Sequence, residues 1–103
     1  MNEKLRMKDV IDYHTGAIVS KTLIDKENGS VTAFAFDEGQ GLSEHTAPYD
    51  ALVYILEGEA EVTIAGKSHK LDEGDYIIMS ANMRHSLRAL NRFKMLLVMI
   101  KSS

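Results

Sequence analysis

Short apolar or alternating runs, each closed by a turn that usually carries glycine, constrain this chain more than any other feature. Ala60, Val62 and Ile64 alternate with Glu61 and Thr63, the period of a strand with one wet face. Gly66-Lys67 then turns the chain towards His69-Lys70-Leu71, and Glu73-Gly74-Asp75 marks the next turn. Ala51 to Leu56 and Tyr76 to Met79 are apolar on both parities, the pattern of strands covered on both sides. Phe93 to Ile100 is the longest such run, with Phe93, Met95, Leu97 and Met99 on one face and Leu96, Val98 and Ile100 on the other. Ile18 to Ile24 and Val31 to Phe36 complete the early strands, separated by the turn Lys26-Glu27-Asn28-Gly29. About eight or nine short strands of this kind predict an all-β sandwich or barrel. Residues 1–16 read as an arm or a short helix, since Leu5, Met7, Val10 and Ile11 suit either.

The chain has 103 residues, of which 45 % are hydrophobic, enough for one domain spanning 1–103 with a single core. A chain this small rarely covers both faces of several strands by itself, so a homodimer is expected. Fifteen acidic and twelve basic residues leave a net charge of −3 with no block of either sign, which argues against a nucleic-acid partner, since that needs a basic face. The absence of cysteine excludes disulfides, thiolate metal sites and cysteine nucleophiles. No apolar run approaches the roughly 18–20 residues of a membrane helix. Met1 to Arg6 lacks the apolar centre of a secretion signal. These features predict a soluble, cytoplasmic protein without a membrane partner.

Two histidines stand out. His45 lies in the segment that begins Gly39-Gln40-Gly41 and runs through Ala51 to Gly58. His85 ends the segment that begins Gly74-Asp75-Tyr76 and runs through Asn82. Two imidazoles delivered by two such segments suggest one site, and imidazole is the commonest protein metal ligand.

These two segments resemble the cupin superfamily, whose fold is a small double-sheet jelly roll, also described as a double-stranded β-helix or RmlC-like barrel. The first motif covers 39–58, where Gly39, His45 and Gly58 fall on the family pattern. Ala47 occupies the position of that pattern's second histidine, and Ala51 the position of its glutamate. The second motif covers 74–89, where Gly74 and His85 match while Ser80 and Asn82 stand in place of proline and glycine. Asparagine tolerates the left-handed conformation better than most residues. The flank Phe93-Lys94-Met95-Leu96-Leu97 is similar to that of small one-domain cupins, of the cupin 2 conserved-barrel type. In the family three histidines and a glutamate hold a divalent metal, so the resemblance implies zinc, iron, manganese or nickel at His45 and His85, held weakly or not at all.

Catalytic zinc takes three protein ligands, and non-haem iron two histidines and a carboxylate. Alternation puts Ala51, Val53 and Ile55 on one face of their strand and Asp50 on the other, so Asp50 does not replace the missing carboxylate. Glu44 has the same difficulty beside His45. The two alanines instead open an apolar space with two polar tips, the make-up of a small-molecule pocket. Its expected lining is His45, Ala47, Ala51, Val53, Met79 and His85. Methionines filling that space are the alternative, because methionine fits irregular gaps.

Three functions follow as expectations. The first is a small-molecule-binding barrel of unassigned reaction, with an incomplete two-histidine metal site. The second is a metal-dependent oxygenase or isomerase that completes its metal shell with substrate and water. The third is a metal-free structural or sensory module. Some cupin epimerases pair a histidine base with a tyrosine acid, and Tyr49, Tyr54 and Tyr76 are the candidates here. His14 reads as a solvated turn residue and His69 as a core histidine. Arg84 and Arg88 read as outward side chains, either solvated or paired with Asp50 or Glu57 at a subunit interface. Asp72, Glu73 and Asp75 read as a solvated turn.

Overall fold

A computed structural model describes residues 3–101. Among these residues, nine strands follow a 3-10 turn at Met7–Asp9: β1 (Ile18–Lys26), β2 (Gly29–Phe36), β3 (Gly41–His45), β4 (Asp50–Glu57), β5 (Glu59–Ile64), β6 (Lys67–Asp72), β7 (Tyr76–Met79), β8 (His85–Ala89) and β9 (Phe93–Ile100). They form two antiparallel sheets, ordered β1-β2-β9-β4-β7 and β3-β8-β5-β6. This is a jelly-roll barrel, all-β as the strand pattern predicts and of the type the cupin resemblance implies. No helix among the described residues is long and apolar enough to cross a membrane.

The period-two pattern decides which side chains meet inside. On β4 the buried positions are Ala51, Val53, Ile55 and Leu56. On β9, Phe93 and Met95 are buried, and the half-buried Leu97 and Met99 pack on the same core. At one end of the barrel Phe36 stacks on Phe93, with ring centroids 4.5 Å apart. Gly58 turns the chain there with φ of 84°, and a Cβ on it would collide with the Arg92 carbonyl oxygen and with Phe93. Only glycine fits such a position without backbone movement.

The N-terminal segment is an arm laid on the outer face of the five-stranded sheet. Ile11 is buried against Ala33 and Ala35, and Val10, Tyr13, Val19, Leu23 and Leu96 pack on the same cluster. Tyr13 donates a 2.6 Å hydrogen bond to Glu57, and Lys94 reaches the Lys8 carbonyl under the arm. Burial, with help from the Glu57 carboxylate, pushes the Tyr13 phenol well above its usual range. Asp37 ties the same region together. Its carboxylate accepts from the Gly16 and Glu38 amides and from Arg92.

The cover over this face is partial. Val31 is the register partner of Val98, Val98 of Leu52, Leu52 of Ile78, and Ile24 of Val31. These five side chains make one apolar row across all five strands on the outer face. Ile24, Ile78 and Ile100 are about half exposed, and Tyr76 is 63 % exposed. The two-parity apolar runs of β4 and β7 are therefore covered on the inner face and open on the outer one.

Candidate metal and ligand site

His45 ends β3 and His85 begins β8, and the two are register partners in the four-stranded sheet. A register shift between Leu42 and His45 brings them opposite each other. The turn before β8 depends on Asn82, which adopts φ of 68° and donates its amide hydrogen to the Ala47 carbonyl. The residue that replaces the family's glycine thus takes the left-handed conformation anticipated for it.

The imidazoles face each other edge to face, with ring centroids 4.3 Å apart and Nε2 atoms 3.1 Å apart. His45 Nδ1 lies 2.8 Å from the Ser43 carbonyl oxygen, and His85 Nδ1 lies 3.0 Å from the Met83 carbonyl oxygen. A carbonyl oxygen only accepts, so each Nδ1 carries the hydrogen. In neutral rings both Nε2 atoms then carry a lone pair and no hydrogen, at a distance of 3.1 Å. A shared proton or a cation between them resolves that repulsion. For metal–nitrogen bonds of about 2.0–2.1 Å, the observed separation subtends about 95–100° at a metal, between the octahedral and tetrahedral angles. Joint ligation by the two rings fits.

The full four-ligand set of the resemblance does not fit. No cluster of three or more His, Cys, Asp or Glu suited to a metal occurs among the described residues. Ala51 faces inward with 9 % exposure, and its methyl cannot ligate. Asp50 is exposed, and its Oδ1 accepts from the Ala81 amide. Glu44 pairs with Arg84 at 3.9 Å.

Beside the two imidazoles lies a cavity of about 70 Å3, lined by His45, Ala47, Ala51, Met79 and His85, and also by Leu42, Tyr49, Leu87, Met95, Leu97 and Met99. It has room for several waters or a small ligand fragment. Val53 is not among its walls. That residue is fully buried in the core, one inward rung deeper, with Leu97 and Ile77 as its register partners. Tyr49, one of the three tyrosines considered as acids, lines the cavity, and Lys101 Nζ lies 5.7 Å from its ring centroid. Tyr54 and Tyr76 lie on the exposed outer face, away from the imidazoles, which leaves Tyr49 as the tyrosine of the site. His14 is exposed in its turn and His69 is half-buried on β6. Within the chain, Arg84 and Arg88 pair with Glu44 and Glu61. Glu57 is taken by Tyr13, and Asp50 by the turn before β8.

Comparison with known proteins agrees with this architecture. The cupin domain family matches residues 33–101. A conserved protein of unknown function from Streptococcus pyogenes is similar over the whole of this chain and 90 % of its own, at 34 % identity and a TM-score of 0.95. A cupin 2 conserved-barrel domain protein from Leptotrichia buccalis is similar at 37 % identity and a TM-score of 0.90, over 94 % of this chain and 47 % of its own. A cupin superfamily protein from Desulfitobacterium hafniense is similar at 25 % identity and a TM-score of 0.94, over 99 % of this chain and 94 % of its own. No curated protein matches the chain. By its motifs, its barrel and these relatives, the chain belongs to the cupin family.

Proposed function

We propose that this barrel binds a small molecule, and that His45 and His85 hold a cation by two bonds while water and the bound molecule complete its shell. One observation carries the reading: two Nε2 atoms 3.1 Å apart, with both Nδ1 atoms tied to backbone carbonyls. The cavity beside them is apolar apart from the imidazoles and Tyr49. It would seat the less polar part of a small ligand while a polar group reached the cation. When bound, the cation supplies Lewis acidity; the chain's own residues orient it and exclude water from one side. Metal analysis of untagged protein, followed by thermal denaturation with added cations, tests this. Binding should raise the melting temperature of the wild type and leave a His45→Ala, His85→Ala double variant unmoved. Equal shifts in both proteins would refute the site.

We also propose that a second copy of the chain covers the outer face of the five-stranded sheet. The open apolar row, with Tyr54, Tyr76 and Ile100 beside it, would form the apolar centre of an interface, with a polar rim completing the ~800 Å2 per partner of a standard one. A two-fold axis parallel to the strands sets the basic β1 edge of one copy, Lys21 and Lys26, against the acidic β7 side of the other, Asp50 and Asp75. Sedimentation should give about twice the chain mass of 11.5 kDa, and Ile78→Lys should give monomers. A dimeric Ile78→Lys protein would rule this surface out.

A further inference from the structure

The donors around the histidines indicate which cation the site takes. Three thioethers, from Met79, Met95 and Met99, line the same cavity as the two imidazoles. Met79 and Met99 are the register partners of Ala51 on its two sides, which sets them about 5 Å from its methyl along the inner face. Met79 is 5 % exposed and Met95 1 % exposed. The rest of the wall is Leu42, Leu87, Leu97 and alanine methyls, with the Tyr49 ring at one side. No carboxylate takes part.

Two physical consequences follow. A cation entering an apolar wall without an anionic ligand keeps its full charge, and the desolvation cost of an ion grows with the square of that charge. A divalent ion therefore costs about four times what a monovalent one does. The donors are also soft. Thioether sulfur favours monovalent copper over the hard and borderline divalent metals, while imidazole serves either. Methionine's three rotatable bonds let its sulfur swing towards an ion without moving the strand.

We propose that the site takes monovalent copper, held by Nε2 of His45 and His85 and by a thioether of Met79 or Met99. The inference rests on the joint ligation argued above and adds the identity of the cation and its third donor. Met95 lies two inward rungs deeper, opposite Ile55, and serves as wall.

The test is an anaerobic titration with ascorbate present, in which the protein competes against a chromophoric chelator for monovalent copper, alongside a zinc titration. Silver(I) serves as a redox-inert check. One copper per chain is expected, bound at least about 10-fold more tightly than zinc, a difference of about 1.4 kcal/mol. A Met79→Leu, Met99→Leu double variant should lose about 10-fold or more in copper affinity with zinc affinity unchanged. Leucine for methionine nearly conserves volume, so the variant should fold. In protein carrying 13C-methyl methionine, the Met79 or Met99 methyl signal should move on adding silver(I). Zinc bound as tightly as copper, or methionine signals that stay still, would overturn the copper assignment and leave the two-histidine site standing. If neither copper nor zinc binds, or if the His45→Ala, His85→Ala variant binds both as well as the wild type, the joint-ligation reading falls as well.

Discussion

At one end of the barrel the inward side chains are phenylalanines in contact; a few rungs along the same strands they are an alanine between two methionines. Phe36 and Phe93 are stacked and fully buried. Ala51 faces a cavity beside two imidazoles. The two places are about 20 Å apart along β9 and obey the same period-two rule, so alternation alone does not separate them. Side-chain volume does. The closed end is filled, and its perimeter is tied by Asp37 to Arg92 and by Tyr13 to Glu57. The open end leaves space, and its two imidazoles stand with their Nε2 atoms 3.1 Å apart. Stability and binding thus occupy different rungs of one sheet.

This division can be broken by experiment. Phe93→Ala should cost about 3–5 kcal/mol in urea unfolding, the range for truncating a buried aromatic; a loss below about 1 kcal/mol would end the claim that the closed end carries the stability. Gly58→Ala should cost at least ~1–3 kcal/mol from the left-handed conformation alone, with the collision against Arg92 and Phe93 added. At the open end, Ala51→Leu should change stability by less than about 1 kcal/mol, because it enters vacant space rather than a packed core. The same change should abolish cation binding. If Ala51→Leu proves as destabilising as Phe93→Ala, the two ends are alike.

The smallest expected effect concerns acid. The Gly16 amide, then Arg92 and the Glu38 amide, hold the Asp37 carboxyl at about 2, below its ordinary 3.8. A carboxylate held low in the folded state stabilises it fully above its unfolded value, and that support is lost as the pH falls towards the folded value. Asp37 should therefore contribute a fall in stability between about pH 4 and pH 2, and Asp37→Asn should flatten that part of the acid limb. An unchanged limb in Asp37→Asn would show that the ties at the closed end do not depend on this charge.

Much of this was legible in the sequence, for reasons that particular residues make clear. Glycine-anchored spacing located His45 and His85, and alternation turned Ala51 inward and Asp50 outward. Asn82 carried its own conformational signature. Val53 marks the boundary of such reasoning. It shares the parity of Ala51 and is fully buried, yet it adds no wall although its register partner Leu97 does, and which inward side chains border a void depends on neighbouring volumes that have no periodic signal. Leu42 and Leu87 join the cavity through pairing between β3 and β8, a contact between distant segments. The pairing of Tyr13 with Glu57 is of the same kind. The apolar outer positions of β4 and β7 were visible in the sequence; which of them the N-terminal arm would cover was not.

Each imidazole is aimed by a carbonyl two residues earlier in its own chain segment, at Ser43 and at Met83. The aim is therefore independent of the side chains that line the cavity. Substitutions at positions 47, 51, 79 and 99 can alter what the barrel accepts while the two rings keep their bearing. A site built this way can drift from one ligand to another in small steps, with the backbone holding the constant part.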